Sequence, residues 1–202
     1  MTTYRVPTLA VLLAISAFSA DAPNGKIVGN QSAPIRLELF SDFSCPGCKG
    51  FHDRLLPIVM NEFVTPGKAF IVFRDYVLPQ SPGHMYSGQA ARYAVAANRV
   101  GKYRAVADAL FASQLSWAFS GNMWPAIAPV LTPAEQKRVQ ALFTDPSVAN
   151  EVTQDTETGK RAGLLRTPTV GINFRIQHQM WNQWDNGGDK LFLDYLRELL
   201  KK

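Results

Sequence analysis

The sequence predicts an α/β fold in which a strand–helix–strand opening and a late strand-and-helix closing are separated by an all-helical insertion. Three observations carry this prediction. Apolar residues are continuous or partly alternating over 35–40 and 69–73 and fall on one helical stripe between them. A long alanine-rich stretch follows with few helix breakers. Strand character returns only at Thr169-Val170-Gly171-Ile172. The chain has 202 residues, 47% hydrophobic and 18% charged, which argues against disorder and an integral membrane protein and suffices for a core without disulfide staples.

The first twenty residues stand apart from the fold. Met1 to Arg5 carries one positive charge, Val6 to Phe18 is mostly apolar, densest over Leu9 to Ile15, and small residues come next. This is the pattern of a secretory signal peptide, with Ala17 and Ser19 in place for cleavage after Ser19. The run is interrupted by Pro7 and Thr8 and is shorter than the roughly 20 residues a membrane span needs; retention as an uncleaved anchor is the alternative to cleavage. The protein is therefore expected outside the cytoplasm, in a periplasmic or equivalent compartment. Its formal net charge of +5 is too mild and scattered to predict nucleic-acid binding.

Along the mature chain, Ile35 to Phe40 predicts a strand. Phe51, Leu55, Val59 and Phe63 then share a helical face, with an irregularity expected at Pro57. Pro66-Gly67-Lys68 makes a turn into Ala69 to Phe73, a strand buried on both faces. So short a turn implies that the two strands are parallel neighbours joined by a right-handed crossover. Residues 85–114 predict one or two helices around Gly101, and 122–131 another. Thr132-Pro133-Ala134-Glu135 forms a capping box, and Asp145-Pro146 caps a helix ending near Gly163. Strand character over 169–172 continues through 175–179, and an amphipathic helix starts at Asp189. The implied division is a signal segment (1–20), a first part of the α/β unit (21–80), the helical insertion (81–145) and its second part (146–202).

Only two cysteines occur, in the tetrapeptide Cys45-Pro46-Gly47-Cys48. A disulfide here closes so short a loop that chain entropy yields only roughly 2 kcal/mol, so a structural staple would be poorly placed. The pair sits instead where a strand meets a helix. Unpaired N–H groups and the positive dipole end favour a thiolate at Cys45 there, and Pro46 at the first helical position forfeits no hydrogen bond. Cys45 is then the exposed nucleophile and leaving group, and Cys48 the buried resolving thiol. His52 could share a helical face with both sulfurs as three zinc ligands, but no fourth ligand is apparent in the sequence. Helix packing is the plainer role for it, and no metal or organic cofactor is expected. Trp117, Phe119, Met123, Trp124, Trp181 and Trp184 are expected mainly in the core; any that line a groove near Cys45 would suit apolar, unfolded segments.

The stretch from Gly29 to Ile35, followed by Phe40-Ser41-Asp42-Phe43-Ser44-Cys45-Pro46-Gly47-Cys48-Lys49, resembles the DsbA-like thiol:disulfide oxidoreductases, in their branch with an F-S-D-F-x-C-P-x-C signature. Residues 70–75 (F-I-V-F-R-D) and 166–170 (R-T-P-T-V) resemble that family's second segment and its cis-proline segment. The resemblance implies a thioredoxin fold carrying a helical insertion, a cis bond before Pro168, and a Thr167 backbone able to pair with an extended substrate. It implies reduced or misoxidised secreted polypeptides and a membrane redox partner as partners. Two departures stand out. Many thioredoxin-fold enzymes have a buried acid at the place of Leu39, which leaves Glu38, of opposite strand parity, as a candidate proton acceptor for Cys48. The dipeptide Pro46-Gly47 contains no histidine, which predicts a less depressed Cys45 pKa and a milder oxidant. Three functions stay open at this level: an oxidase, a reductase or isomerase kept reduced by a membrane donor, and a non-catalytic metal-binding or chaperone-like module.

Overall fold

The computed structural model describes residues 25–78, 81, 83–173, 175–179 and 188–201. The expected signal segment (1–20) and the two tryptophans Trp181 and Trp184 lie outside these residues. A five-stranded mixed sheet is ordered β1-β3-β2-β4-β5, from β1 (Ile27–Val28), β2 (Ile35–Ser41), β3 (Ala69–Asp75), β4 (Thr169–Ile172) and β5 (Arg175–Gln179). Strands β2 and β3 are parallel, pairing Leu37 with Ile71 and Leu39 with Phe73. β4 runs antiparallel to β2 and β5 antiparallel to β4, with a bulge between Val170 and Gly171. The late strand character is thus a hairpin that turns at Asn173, whose φ is 47°. β1 was not anticipated. Two residues of a polar stretch pair with Val72 and Ile71 and cover the open edge of β3.

The crossover from β2 to β3 is one irregular helical run. α1 (Pro46–Gly50) passes through a π turn (Phe51–Leu55) into α2 (Leu56–Val59) and a second π turn (Met60–Val64). The irregularity expected at Pro57 takes this form: the run continues through αR residues Leu55 and Leu56, and the Leu56 N–H bonds back five residues to the Phe51 carbonyl, a widened turn just before the proline that has no N–H to give. Phe51, Leu55, Val59 and Phe63 are all buried, as the stripe predicts.

The insertion between β3 and β4 contains α3 (Ser87–Asn98), α4 (Tyr103–Ala112), α5 (Gln114–Trp117), α6 (Trp124–Ile127) and α7 (Pro133–Phe143), and α8 (Pro146–Arg161) leads back to the sheet. The alanine-rich α3 lets its neighbours approach closely, with Ala90, Ala91, Ala94, Ala96 and Ala97 all buried. Helix α9 (Gly188–Leu199) closes the chain and buries Phe192, Leu193 and Leu196. The Thr132 hydroxyl accepts from the Glu135 N–H, and Glu135 Oε2 accepts from the Thr132 N–H at 2.8 Å, which completes the capping box. A Thr132→Ala variant should therefore lose about 1 kcal/mol. In a domain of this size that lowers the melting temperature by roughly 2–4 °C, measurable by calorimetry.

Candidate active site

The end of β2 delivers the two cysteines. Strand register puts Leu39 and Ser41 on the face of the sheet that carries Phe73 and Asp75, and the chain then turns into α1 with Cys45 as its N-cap. Asp42 shapes that turn. Its carbonyl accepts from the Cys45 N–H at 3.1 Å, and its own N–H donates to the Cys48 sulfur at 3.3 Å. Its side chain, fully buried, accepts from the backbone N–H groups of Ser44 and Leu78 and from the Ser87 hydroxyl. The Gln114 amide of α5 donates to the carbonyls of Phe43 and Cys45 at 2.7 and 3.0 Å, tying the insertion to the same turn.

Pro168 comes in from the far end of the chain. The Thr167–Pro168 peptide is cis, and the Thr167 carbonyl lies 3.5 Å from Cys45 Sγ. Gly47 is where the two segments meet. A Cβ on it would stand 3.3 Å from Pro168 Cδ and 3.6 Å from Cys45 Sγ, so a larger residue would press on the proline loop. The buried Thr167 hydroxyl has no protein acceptor and can turn to a charged sulfur. The structure thus gathers Cys45, Pro46, Gly47, Cys48, Thr167 and Pro168 at one place, with Cys45 not exposed as expected but buried to 9% exposure under the proline loop, against 1% for Cys48.

The two sulfurs are electrostatically unequal. A hydrogen bond from the Cys48 thiol lowers the Cys45 pKa most, burial opposes it, and Thr167 and the Cys48 backbone N–H add to the lowering, for a value of about 6. Burial pushes the Cys48 thiol well up, and the neighbouring Cys45 sulfur pushes it further. A folded pKa below the unfolded one makes the thiolate a source of stability at high pH, lost as pH falls through about 6. The reduced protein should therefore gain stability over the oxidised one as pH rises from 5 to about 8. Paired melting curves of the two forms test this; a constant difference would contradict it.

Glu38 is not brought to Cys48. It accepts from Arg36 at 2.6 Å and from Arg74 at 3.0 Å on the opposite face of the sheet, as its strand parity dictates. The acid that shares space with Cys48 is Asp75, which sequence reasoning did not find. A cavity of about 20 Å³, room for one water, is lined by Cys48, Ser41, Leu39, Asp75 and Tyr103. His52 is turned from the sulfurs to acids of the surface, 2.8 Å from Asp108 and 3.3 Å from Asp53. Among the described residues no cluster of three or more metal-ligating side chains forms. Trp117 and Met123 are buried as expected, but Phe119 is 77% exposed.

A family model described as thioredoxin matches residues 21–186. The chain belongs to the thioredoxin family. Its group within the family is DsbA-like. The disulfide bond formation protein D of Bacillus subtilis is 22% identical over 160 residues, 74% of this chain and 68% of that protein. Among solved structures, a thioredoxin-like oxidoreductase from Silicibacter pomeroyi superposes with a TM-score of 0.65 at 21% identity, covering 91% of this DsbA-like chain and 94% of that one. A variant of Wolbachia pipientis alpha-DsbA1 gives a TM-score of 0.66 at 19% identity, covering 88% and 90%. These two likenesses are of fold, and the thioredoxin fold with a helical insertion is the one the sequence predicts.

Proposed function

We propose that this thiol:disulfide oxidoreductase works outside the cytoplasm and passes its Cys45–Cys48 disulfide to cysteine pairs of secreted polypeptides. A client thiolate attacks Cys45 Sγ; the bond to Cys48 breaks, and Cys48 leaves with the electron pair. The cavity it shares with Asp75 is the route by which it gains a proton. A second client thiolate then attacks the client sulfur of the mixed disulfide and releases Cys45 as a thiolate. The client is oxidised by two electrons and the Cys45–Cys48 pair is reduced by two, to be reoxidised by a membrane redox partner.

The observation that carries this reading is the inequality of the two sulfurs. A thiol that ionises near pH 6 is a good leaving group and attacking group, while a fully buried thiol beside it is shielded from clients. The surroundings supply a place for the client. Large exposed apolar side chains stand on segments that reach the site: Met85, beside His84; Leu115, next to Gln114; and Leu165, two residues before Thr167; Phe119 is also exposed, its ring edge 3.9 Å from the Cβ position of Gly83. Exposed apolar groups around a reactive sulfur suit unfolded chains, whose own apolar residues are still accessible. The extracytoplasmic location rests on the N-terminal apolar run; among the described residues no helix is long and apolar enough to cross a membrane.

The test is oxidative refolding of a reduced, disulfide-containing client by stoichiometric oxidised protein. Client disulfides should appear as the Cys45–Cys48 disulfide disappears, one for one. In cells, thiol trapping should find the pair mostly oxidised. A pair found mostly reduced would instead identify a reductase or isomerase.

A further inference from the structure

His84 takes no part in the reading above, yet the fold inserts it into the active-site turn. It lies in the connection between β3 and α3, far in sequence from the cysteines, and is 9% exposed. Its Nδ1 stands 3.1 Å from Asp42 Oδ2, an ion-pair distance without hydrogen-bond alignment, and this buried nitrogen makes no hydrogen bond in the protein. Asp42 is the residue whose backbone holds both Cys45 and Cys48. A carboxylate in that position is unhelpful to the nucleophile, because its charge opposes the ionisation of Cys45. The titratable groups that face His84 among the described residues are Asp42, from the β2–α1 turn, and Cys45, at the start of α1; both favour its protonated form, with Asp42 the stronger.

We propose that His84 is a positioning residue whose imidazolium, fixed by Asp42, offsets the Asp42 charge and supports the Cys45 thiolate from outside the C-P-G-C loop. The proposal rests on Cys45 as the attacking sulfur. A positive charge here serves two ends at once. It makes the fully buried Asp42 carboxylate tolerable, and it leaves the local field favourable to a second negative charge when Cys45 loses its proton. Because the His84 imidazole and Cys45 interact, ionisation of Cys45 favours the imidazolium and the imidazolium favours the thiolate.

The test uses His84→Asn, whose amide can still donate to Asp42 but carries no charge, with His84→Gln as a second variant in case the first does not fold. The rate at which iodoacetamide modifies the reduced protein is followed from pH 4 to 9, with the modified residue mapped by mass spectrometry. The variant's inflection should move up by about one unit, so that modification below pH 6 slows roughly tenfold while the rate at pH 9 is unchanged. Loss of a purely structural contact would not produce that pH-selective change. On the unsubstituted protein, NMR titration of the His84 imidazole should give a higher pKa in the reduced than in the oxidised form. Identical inflections in variant and parent, or an imidazole pKa indifferent to the redox state, would overturn the role of His84. Modification mapped away from Cys45 in the parent protein would instead overturn the assignment of the nucleophile.

Discussion

A Cys48→Ala variant is expected to accumulate a covalent complex with client proteins, joined through Cys45, while a Cys45→Ser variant forms none and loses client oxidation. The asymmetry follows from the surroundings of the sulfurs. With Cys48 gone, the Cys45 thiolate can still attack a client disulfide and expel one client thiolate, but no internal thiol remains to resolve the mixed disulfide, and release waits on a client cysteine. With Cys45 gone, the remaining sulfur is 1% exposed, packed under the α1 turn and held as a thiol by burial. Turnover should then fall by about three orders of magnitude or more, the scale on which removal of a nucleophile acts. Non-reducing gels of the two variants with a disulfide-containing client, whose S–S bond the Cys45 thiolate attacks with release of one client thiolate, read covalent capture directly, and refolding of a reduced client by the oxidised parent protein is the reference for client oxidation. The Cys48→Ala variant also loses the hydrogen bond that lowers the Cys45 pKa most, so its complexes should form more slowly at pH 6 than at pH 8.

The largest stability effect is expected at Lys26. Its ammonium, 6% exposed, meets Asp75 at 2.8 Å, Asp155 at 2.5 Å and Glu151 at 3.3 Å. Asp75 also accepts from the Tyr103 hydroxyl at 2.7 Å, and Arg74 donates to Asp155 at 2.9 Å. This cluster joins β1, the end of β3, α4 and α8 behind the active site. Lys26→Met should cost about 3–5 kcal/mol, because it leaves Asp75 and Asp155 buried without their common cation. The sign of the pH dependence is fixed by Asp75, whose carboxyl burial pushes up even with Lys26 present. Without the lysine it rises further, so the deficit is greatest near neutral pH and shrinks as falling pH protonates the carboxyl. Urea melts at pH 7 and 5 measure this. The Lys26 ammonium is held charged by the same acids, so the unsubstituted protein keeps the pairing through neutral pH.

These two sites differ in how far the sequence discloses them. Cys45 and Cys48 are legible because adjacency does the work: a strand end, a proline at the first helical position and a three-residue spacing are all local. The crossover helix, the capping box at Thr132 and the parallel pairing of β2 with β3 are legible for the same reason. Glu38 shows the limit of local reasoning. Strand parity correctly puts it on the face away from Cys48, but which acid lies on the near face depends on the register of β3, and that brings Asp75 opposite Ser41. Lys26 lies in a stretch whose glycines and polar residues look like a leader into the fold, and only the pairing of β1 with β3 carries it to three acids far along the chain. His84 is similar: a lone histidine after a loop has no meaning until Asp42 folds against it. Phe119 clusters in sequence with buried aromatics, but it emerges from the end of α5 on the exposed side, where Trp117 and Met123 turn inward.

Disulfide exchange through Cys45 depends on the unequal acidity of the two sulfurs, and site-resolved alkylation of the reduced protein measures that inequality most directly. Brief treatment with iodoacetamide across a pH series, followed by peptide mapping, should label Cys45 with an inflection near pH 6 and leave Cys48 unlabelled at every pH at which the fold persists. Equal labelling of both cysteines, or a single inflection in the ordinary thiol range of about 8–9, would contradict it.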